Sequence, residues 1–235
     1  MIPLPRSVRS ALSRAPSFLL SGLLFLTWPA PAQTSTPTAA TVGFSLDFPQ
    51  SIPDHYAVTV ASDGHASYDS TGKVTLDADP GDPFHLDFTV SPGTRERIFT
   101  LAAKAKYFEG KVDSGKRNIA STGDKTLTFK DGTRNTKAAY NYSPVPAVQE
   151  LTALFQNLST TLEFGRRLDY YYRYQKLALE EELKRMEQMV KEKNMEEVQA
   201  VAPILQRIMA DASVINVTRA RAQRLLNGSG VAASR

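Results

Sequence analysis

Residues 56–68 have the sequence YAVTVASDGHASY. It consists of two runs in which apolar and polar residues alternate, separated by the pair Asp63-Gly64. Alternation with a period of two is typical of a strand with one buried face, and Asp-Gly tolerates the positive φ angles of a tight hairpin turn. The stretch therefore predicts an antiparallel β-hairpin. Its inner face is expected to carry Tyr56, Val58, Val60, Ala66 and Tyr68.

The same signals recur outside this hairpin. Alternating runs on either side predict further strands, and a second pair, Asp131-Gly132, predicts a second hairpin. A Ser-Pro pair that opens a helical pattern follows the strands in each half, at Ser91-Pro92 and at Ser143-Pro144. We therefore expect an α+β domain over residues 43–163, with an antiparallel sheet of hairpins and covering helices. In both halves of this domain the strands and the helix follow the same order, which is of the ββα type and is compatible with an internal duplication.

The C-terminal part of the chain changes to a helical pattern. Apolar residues step by three and four as far as about Lys193, and again from Val198, as they do in coiled coils. Asn194 and Glu197 are spaced like a capping box between the two segments. Residues 164–226 are therefore expected to form an α-helical hairpin.

Two residues are expected to disturb these helices. Gly165 should bend the first helix or divide it in two, because glycine is a poor helix former. Pro203 should kink the second helix, because proline removes a backbone hydrogen bond there. The tail, residues 227–235, is expected to be disordered.

The first 32 residues have the three parts of a secretory signal peptide. Three arginines precede an apolar core at residues 18–28, and Ala30-Pro31-Ala32 provides the small residues that a signal peptidase requires. That core is too short to span a bilayer as a helix. We expect cleavage after Ala32, a flexible tether over residues 33–42, and an exported protein that is periplasmic or extracellular.

The charge of the mature chain argues against a nucleic-acid partner. The whole sequence has a formal net charge of +4, and removal of the three leader arginines reduces it to +1. A nearly neutral protein has little electrostatic attraction for phosphate backbones. The sequence contains no cysteine, which excludes disulfides and a lipid-attachment cysteine. No transmembrane segment is expected in the mature chain.

The sequence contains no recognisable set of catalytic residues. Ser70-Thr71-Gly72-Lys73 matches the Ser-x-x-Lys pattern of penicillin-recognising enzymes, but the companion motifs are missing and we expect a loop there. The three histidines lack metal-ligand spacing, and the acidic residues within 77–82 lack the glycine and distal glutamate of a calcium loop. We therefore predict no catalytic, cofactor or metal site, and an enzyme is the less favoured class.

A cluster of tyrosine and arginine on the first C-terminal helix is the most unusual local feature. A helix cannot turn all of these tyrosines toward one core, so some are expected to be exposed beside arginines. Tyrosine and arginine are enriched at binding hot spots. The alternative is that they pack the helical segment onto the α+β domain or onto a second subunit. The candidate partner-binding residues are Arg167, Tyr170, Tyr171, Arg173 and Tyr174.

The pattern Tyr56-x-Val58-x-Val60-x-x-Asp63-Gly64, the helix from Ser91 and the strand that ends Tyr140-Asn141-Tyr142 resemble an uncharacterised family of exported bacterial proteins. The resemblance covers residues 56–160. It implies export and an α+β domain, and it implies no activity. Many members carry a Cys-Pro pair shortly before the first strand, where this sequence has Ile52-Pro53.

These observations favour a non-catalytic envelope or secreted protein. The apolar seam of the C-terminal helices is expected to exceed what the α+β domain can bury, so the hairpin should mediate self-association or bind a protein partner. The alternative function is an envelope hydrolase or carbohydrate-binding enzyme that gathers acidic residues from distant parts of the chain. A third reading is a monomer in which the C-terminal helices complete a single core.

Overall fold

The computed structural model describes residues 39–49, 51–76, 83–116 and 118–228. The expected signal peptide, most of the expected tether, the acidic segment at residues 77–82 and nearly all of the expected tail lie outside the described residues.

The fold is α+β, as the sequence predicts, and its centre is a six-stranded antiparallel sheet. The predicted hairpin is confirmed: Val60 pairs with Ala66 across the Asp63-Gly64 turn, where Gly64 has a φ of 99°. The first strand begins at Thr41, within the segment expected to be a tether. The strand order is β4-β3-β2-β1-β5-β6. The strands are β1 (Thr41–Asp47), β2 (His55–Ala61), β3 (His65–Thr71), β4 (Phe84–Thr89), β5 (Asp124–Lys130) and β6 (Asn135–Tyr140).

The two faces of the sheet differ because side chains alternate along each strand. One face carries buried apolar side chains and packs against helices, as shown by the ring of Phe44 on β1, which stacks on Phe155 of the second helix at a centroid distance of 5.5 Å. The other face is polar. Its centre is formed by small or hydroxyl side chains such as Ser45 and Thr126, which are paired neighbours on β1 and β5.

Two helices cover the apolar face of the sheet. α1 (Pro92–Lys104) begins at the predicted Ser-Pro pair, where the Ser91 side chain accepts a hydrogen bond from the Thr94 amide. α2 (Pro146–Tyr174) also has proline in its first turn. A left-handed turn over Lys106–Phe108 follows α1, with three successive φ values between 51° and 65°.

The C-terminal helices confirm the helical pattern, but their boundaries differ from the prediction. α2 continues through Gly165 and ends at Tyr174, where Gln175 leaves the helical region with φ −146° and ψ 61°. The second expected helix is divided into two helices at Asp211. Pro203 lies in the first turn of the earlier of these two helices, so the proline causes no kink. The segments are a 3₁₀ turn (Lys176–Ala178), α3 (Leu179–Lys191), a 3₁₀ turn (Val198–Val201), α4 (Ala202–Ala210) and α5 (Asn216–Gly228).

Most of the apolar seam of the C-terminal helices is covered within a single copy of the chain, whereas Val190 and Ile215 are exposed. Leu168, Leu183 and Leu205 are each 0% exposed and belong to the same hydrophobic core as the sheet. The expectation that this seam exceeds what the chain can bury is therefore wrong for its central part, and that buried part gives no reason for self-association. None of the described helices combines the length and the apolar character needed to cross a membrane.

Candidate binding groove and a second cavity

A groove of about 360 Å³ lies where the edge strand β4 meets α2 and α4. Three of the predicted partner-binding residues line it: Tyr170, Arg173 and Tyr174. Its apolar wall is formed by two side chains of β4 and by residues at the start of α4. These apolar residues are Phe84, Leu86, Val201, Pro203 and Ile204.

The tyrosines at the rim of the groove contact one another. Tyr170 and Tyr174 are four residues apart on α2, and their ring centroids are 5.2 Å apart. Tyr174 is 70% exposed, which is unusual for a large aromatic side chain next to apolar walls. An aromatic ring with a polar tip can bury large area against a partner while its hydroxyl stays hydrated. The rim therefore has the chemistry of a protein-binding surface.

Asp169 organises the positive charge at this rim. One carboxylate oxygen accepts from Arg173 at 2.6 Å, and the other accepts from Arg207 of α4 at 2.9 Å. The Arg207 guanidinium also lies 4.7 Å from the centre of the Tyr172 ring. Because two guanidinium groups share one carboxylate, the rim keeps a net positive charge.

Two predicted partner-binding residues do not belong to the groove. The Arg167 Nε atom donates to Glu182 at 2.6 Å, and this ion pair is largely buried and joins α2 to α3. Tyr171 packs in part against the core, and burial raises the pKa of its hydroxyl. The alternative expectation is that these side chains pack the helical segment onto the α+β domain or onto a second subunit. Tyr171 does pack in part on the common core, whereas Arg167 joins two helices to each other.

A second cavity, of about 530 Å³, lies on another side of α2 from the groove, against the β1–β2 connection and α3. The cis peptide Ile52-Pro53 is part of its wall. Arg167 and Arg185 line it together with the carboxylate of Glu163.

Glu163 is the centre of a buried hydrogen-bond network that the sequence analysis missed. Its Oε1 atom accepts from the Tyr68 hydroxyl at 2.8 Å and from Ser70 at 2.7 Å. Its Oε2 atom has no hydrogen bond among the described residues and lies 3.6 Å from Arg166 Nη1. Burial, followed by the adjacent charge of Glu163, raises the pKa of Tyr68, so this hydroxyl stays protonated and acts as a donor.

One signal in the sequence could have found this network. Glu163 lies between Leu162 and Phe164, so a carboxylate occupies the apolar face of a helix where a core residue is expected. A buried carboxylate needs partners, because an uncompensated charge in the interior is strongly unfavourable. The partners come from a strand more than ninety residues earlier, and sequence spacing alone does not identify them.

The surroundings of Ser70 do not resemble the serine–lysine site of penicillin-recognising enzymes. Ser70 lies in β3, not in the loop that we expected, and its hydroxyl bonds to Glu163 and Arg166. Lys73 Nζ donates to the carbonyl oxygen of Leu76 at 3.4 Å. Of the described residues, one carboxylate lines the groove, Asp169, and one lines the cavity, Glu163.

The histidines lie on the polar face of the sheet and at its ends. His55 Nδ1 is 2.6 Å from Asp47, and His85 Nδ1 is 2.7 Å from Asp69. The hydrogen bond to Asp69, followed by the one to Asp87, raises the pKa of His85. No group of three or more metal-ligating side chains is found among the residues that the structure describes.

The sequence matches no protein-family model, and a search of curated proteins finds no match either. The resemblance to an uncharacterised exported family therefore stays a prediction.

Proposed function

We propose that the mature chain is an exported, non-catalytic envelope or secreted protein that binds a protein partner or a second copy of itself through the tyrosine-arginine groove. The observation that carries the proposal is the groove itself. Exposed Tyr174 and Arg173 stand at its rim, and partly buried Phe84 and Leu86 form its wall. Export is supported by the signal-peptide pattern of residues 1–32.

The physical argument rests on the kind of side chains that meet at the rim. Aromatic and arginine side chains give most of the binding energy at protein interfaces when a partner excludes water from them. The Tyr170 and Tyr174 rings are already held against each other, so they lose little rotamer freedom on binding. The groove has room for one or two apolar side chains of a partner.

A binding role is favoured over hydrolysis by the placement of the acidic residues. Hydrolysis of a glycosidic bond uses two carboxyl groups about 5–10 Å apart. Asp169 is held by two arginines at the groove, and Glu163 is held by Tyr68 and Ser70 beside the cavity. Among the residues that the structure describes, neither lining provides a second carboxyl group as acid or base.

The test replaces the two groove tyrosines and leaves the partly buried Tyr171 in place. A Tyr170→Ser/Tyr174→Ser variant of the mature protein should lose association about tenfold or more, because two contact residues are removed. Association is measured as molar mass by light scattering and as the amount of protein retained from envelope extract in a pull-down. The matched control is Tyr142→Ser, which changes an exposed tyrosine after β6 at the other edge of the sheet.

The outcome that contradicts the proposal is an unchanged mass and an unchanged set of retained proteins in the double variant. Far-UV circular dichroism of both variants checks that the fold is intact. An equal loss of association in the Tyr142→Ser control would also argue against the groove as the binding site.

A further inference from the structure

Among the described residues, β4 is an edge strand whose outer side is unpaired. It pairs with β3 through Phe84–Thr89 on one side only, and β6 forms the opposite edge. Within the described ranges, no backbone hydrogen bond leaves its outer side. An unpaired edge of this length is a template for another strand unless it is protected.

The two edges of the sheet differ in protection. β6 carries Lys137 in the middle of the strand, with Arg134 just before it, and charged residues of this kind discourage edge pairing. β4 contains neither lysine nor proline. Its inward-facing side chains are only partly buried, so further apolar area could be covered at this edge. These side chains are Phe84, Leu86 and Phe88.

The sequence of β4 is symmetric about Leu86. It reads Phe84-His85-Leu86-Asp87-Phe88, with an aromatic residue at each end and a histidine and an aspartate on either side of the centre. When two such strands pair antiparallel about Leu86, each Phe84 lies opposite a Phe88 of the second copy. Each His85 lies opposite an Asp87 of the second copy.

We propose that two copies of the chain associate through β4, which extends the six-stranded sheet to twelve strands about a twofold axis at Leu86. The proposal rests on the proposed function and deepens it by naming the partner as a second copy. Isologous pairing of this kind makes every contact between different residues twice.

The polar face of the paired strands is complementary in charge. Within one copy, His85 faces Asp69 on β3 at 2.7 Å and Asp87 on its own strand at 3.4 Å. Across the axis, the two His85 and two Asp87 side chains alternate around a square, so each carboxylate has an imidazole on both sides. Opposite charges that face each other directly across paired strands stabilise the pairing.

The apolar face of the paired strands brings the grooves together. Leu86 of one copy lies opposite Leu86 of the second copy, and both side chains are on the same face of the sheet. The twofold axis is therefore perpendicular to the sheet. The helical layers of both copies then lie on the same side, and the rim formed by Tyr170, Arg173 and Tyr174 faces its counterpart. Arginine can stack on tyrosine across such a contact.

A cysteine cross-link tests the register. The natural sequence has no cysteine, so an introduced cysteine can form a disulfide only with the same cysteine of a second copy. In the Leu86→Cys variant, the two side chains are paired neighbours with Cβ atoms about 4.5–5.5 Å apart, close enough for a disulfide after a small adjustment. A covalent dimer should form on mild oxidation. Thr89→Cys is the matched control on the same strand, because its two copies would be about 20 Å apart.

A charge reversal tests the complementarity. Asp87→Lys places two like charges opposite His85, and the dissociation constant of the dimer should rise about tenfold or more. The control is Asp124→Lys, which reverses an exposed carboxylate on the same face of the sheet, in β5. Sedimentation velocity measures both variants against the wild-type protein.

A wild-type protein that remains monomeric, or cross-linking that is equal in Leu86→Cys and Thr89→Cys, overturns the proposal. The two proposals fail in different ways. If the chain is a monomer but the groove tyrosines are still needed to retain another protein, β4 pairing is wrong and the groove stands. If the Leu86→Cys dimer forms and the tyrosine variant associates and retains other proteins as wild type does, β4 pairing stands and the groove is wrong.

Discussion

Glu163 shows how a single polar residue can tie two layers of a protein together. Its carboxylate lies on α2 and is 2% exposed, and it binds two hydroxyl groups of β3. Arg166, one turn later, donates to Ser70 and to the carbonyl oxygen of Gly72. The sheet and the helix are therefore joined by directional bonds as well as by apolar contact.

Replacement of Glu163 by glutamine should lower the free energy of unfolding by about 3 kcal/mol, because it leaves the buried Arg166 charge without a carboxylate. Urea denaturation followed by circular dichroism gives this value. The double variant Glu163→Gln/Arg166→Met removes both charges and should recover part of the loss. Equal stability of wild type and the single variant would show that the pair has no energetic role.

At the scale of elements, the sequence located the strands and helices but not every break between them. Hairpin signals are local, so Asp63-Gly64 and Asp131-Gly132 were sufficient to predict both hairpins. The end of α2 is different. Gly165 looked like the weak point, yet the helix ends at Gln175, where the chain must turn so that α3 packs back on the core.

The candidate site was predictable only in part, because only one of its walls lies on α2. The pattern on α2 indicated that tyrosines and arginines would be exposed, and Tyr170, Arg173 and Tyr174 do line a groove. The other wall comes from β4 and α4, which lie far away in sequence. Which tyrosine faces that wall depends on tertiary packing, so the helical period alone could not separate Tyr171 from the other tyrosines.

Gly165 lets another element pack closely against α2. A Cβ atom at this position would lie 2.5 Å from Cγ1 of Val201, in the turn before α4. Gly165→Ala should therefore lower the free energy of unfolding by about 1–3 kcal/mol, although alanine is the better helix former. Thermal or urea unfolding provides the measurement.

Gly93 provides the matched control for this substitution. It also lies in a helix, α1, but apart from its chain neighbours and its own helix backbone, no described atom is within 4 Å of the position that its Cβ would take. Gly93→Ala should leave stability unchanged or raise it by about 0.4–1 kcal/mol. A stabilising effect at both positions would mean that the contact with Val201 is not close enough to matter.

At the scale of the whole molecule, the sheet and the C-terminal helices depend on one another. Leu127 of β5 and Leu205 of α4 are both 0% exposed in the same hydrophobic core. Glu197, just before the turn that leads to α4, accepts hydrogen bonds from the amide and hydroxyl of Ser91 at the start of α1. The described residues should therefore unfold as one unit.

Leu205→Ala should lower the free energy of unfolding by about 2–5 kcal/mol through the loss of buried area and the cavity that remains. The same decrease in the free energy of unfolding should be measured for the helices and for the sheet. Circular dichroism at 222 nm follows the helices, and hydrogen exchange of the Val58 amide follows the sheet. Leu127→Ala should have an effect of similar size on both probes. A sheet that keeps wild-type protection in Leu205→Ala would show that the two parts unfold separately.

The polar face of the sheet offers a place to attach reporters. Ser45 and Thr126 are paired neighbours at its centre, and Ala57 and Ala139 flank them on β2 and β6. Short side chains around a central position leave room for a fluorescent dye or spin label, and the apolar core lies on the other side of the strands. A single label coupled through a cysteine at position 45 would thus follow the protein in cell extracts with its packing undisturbed.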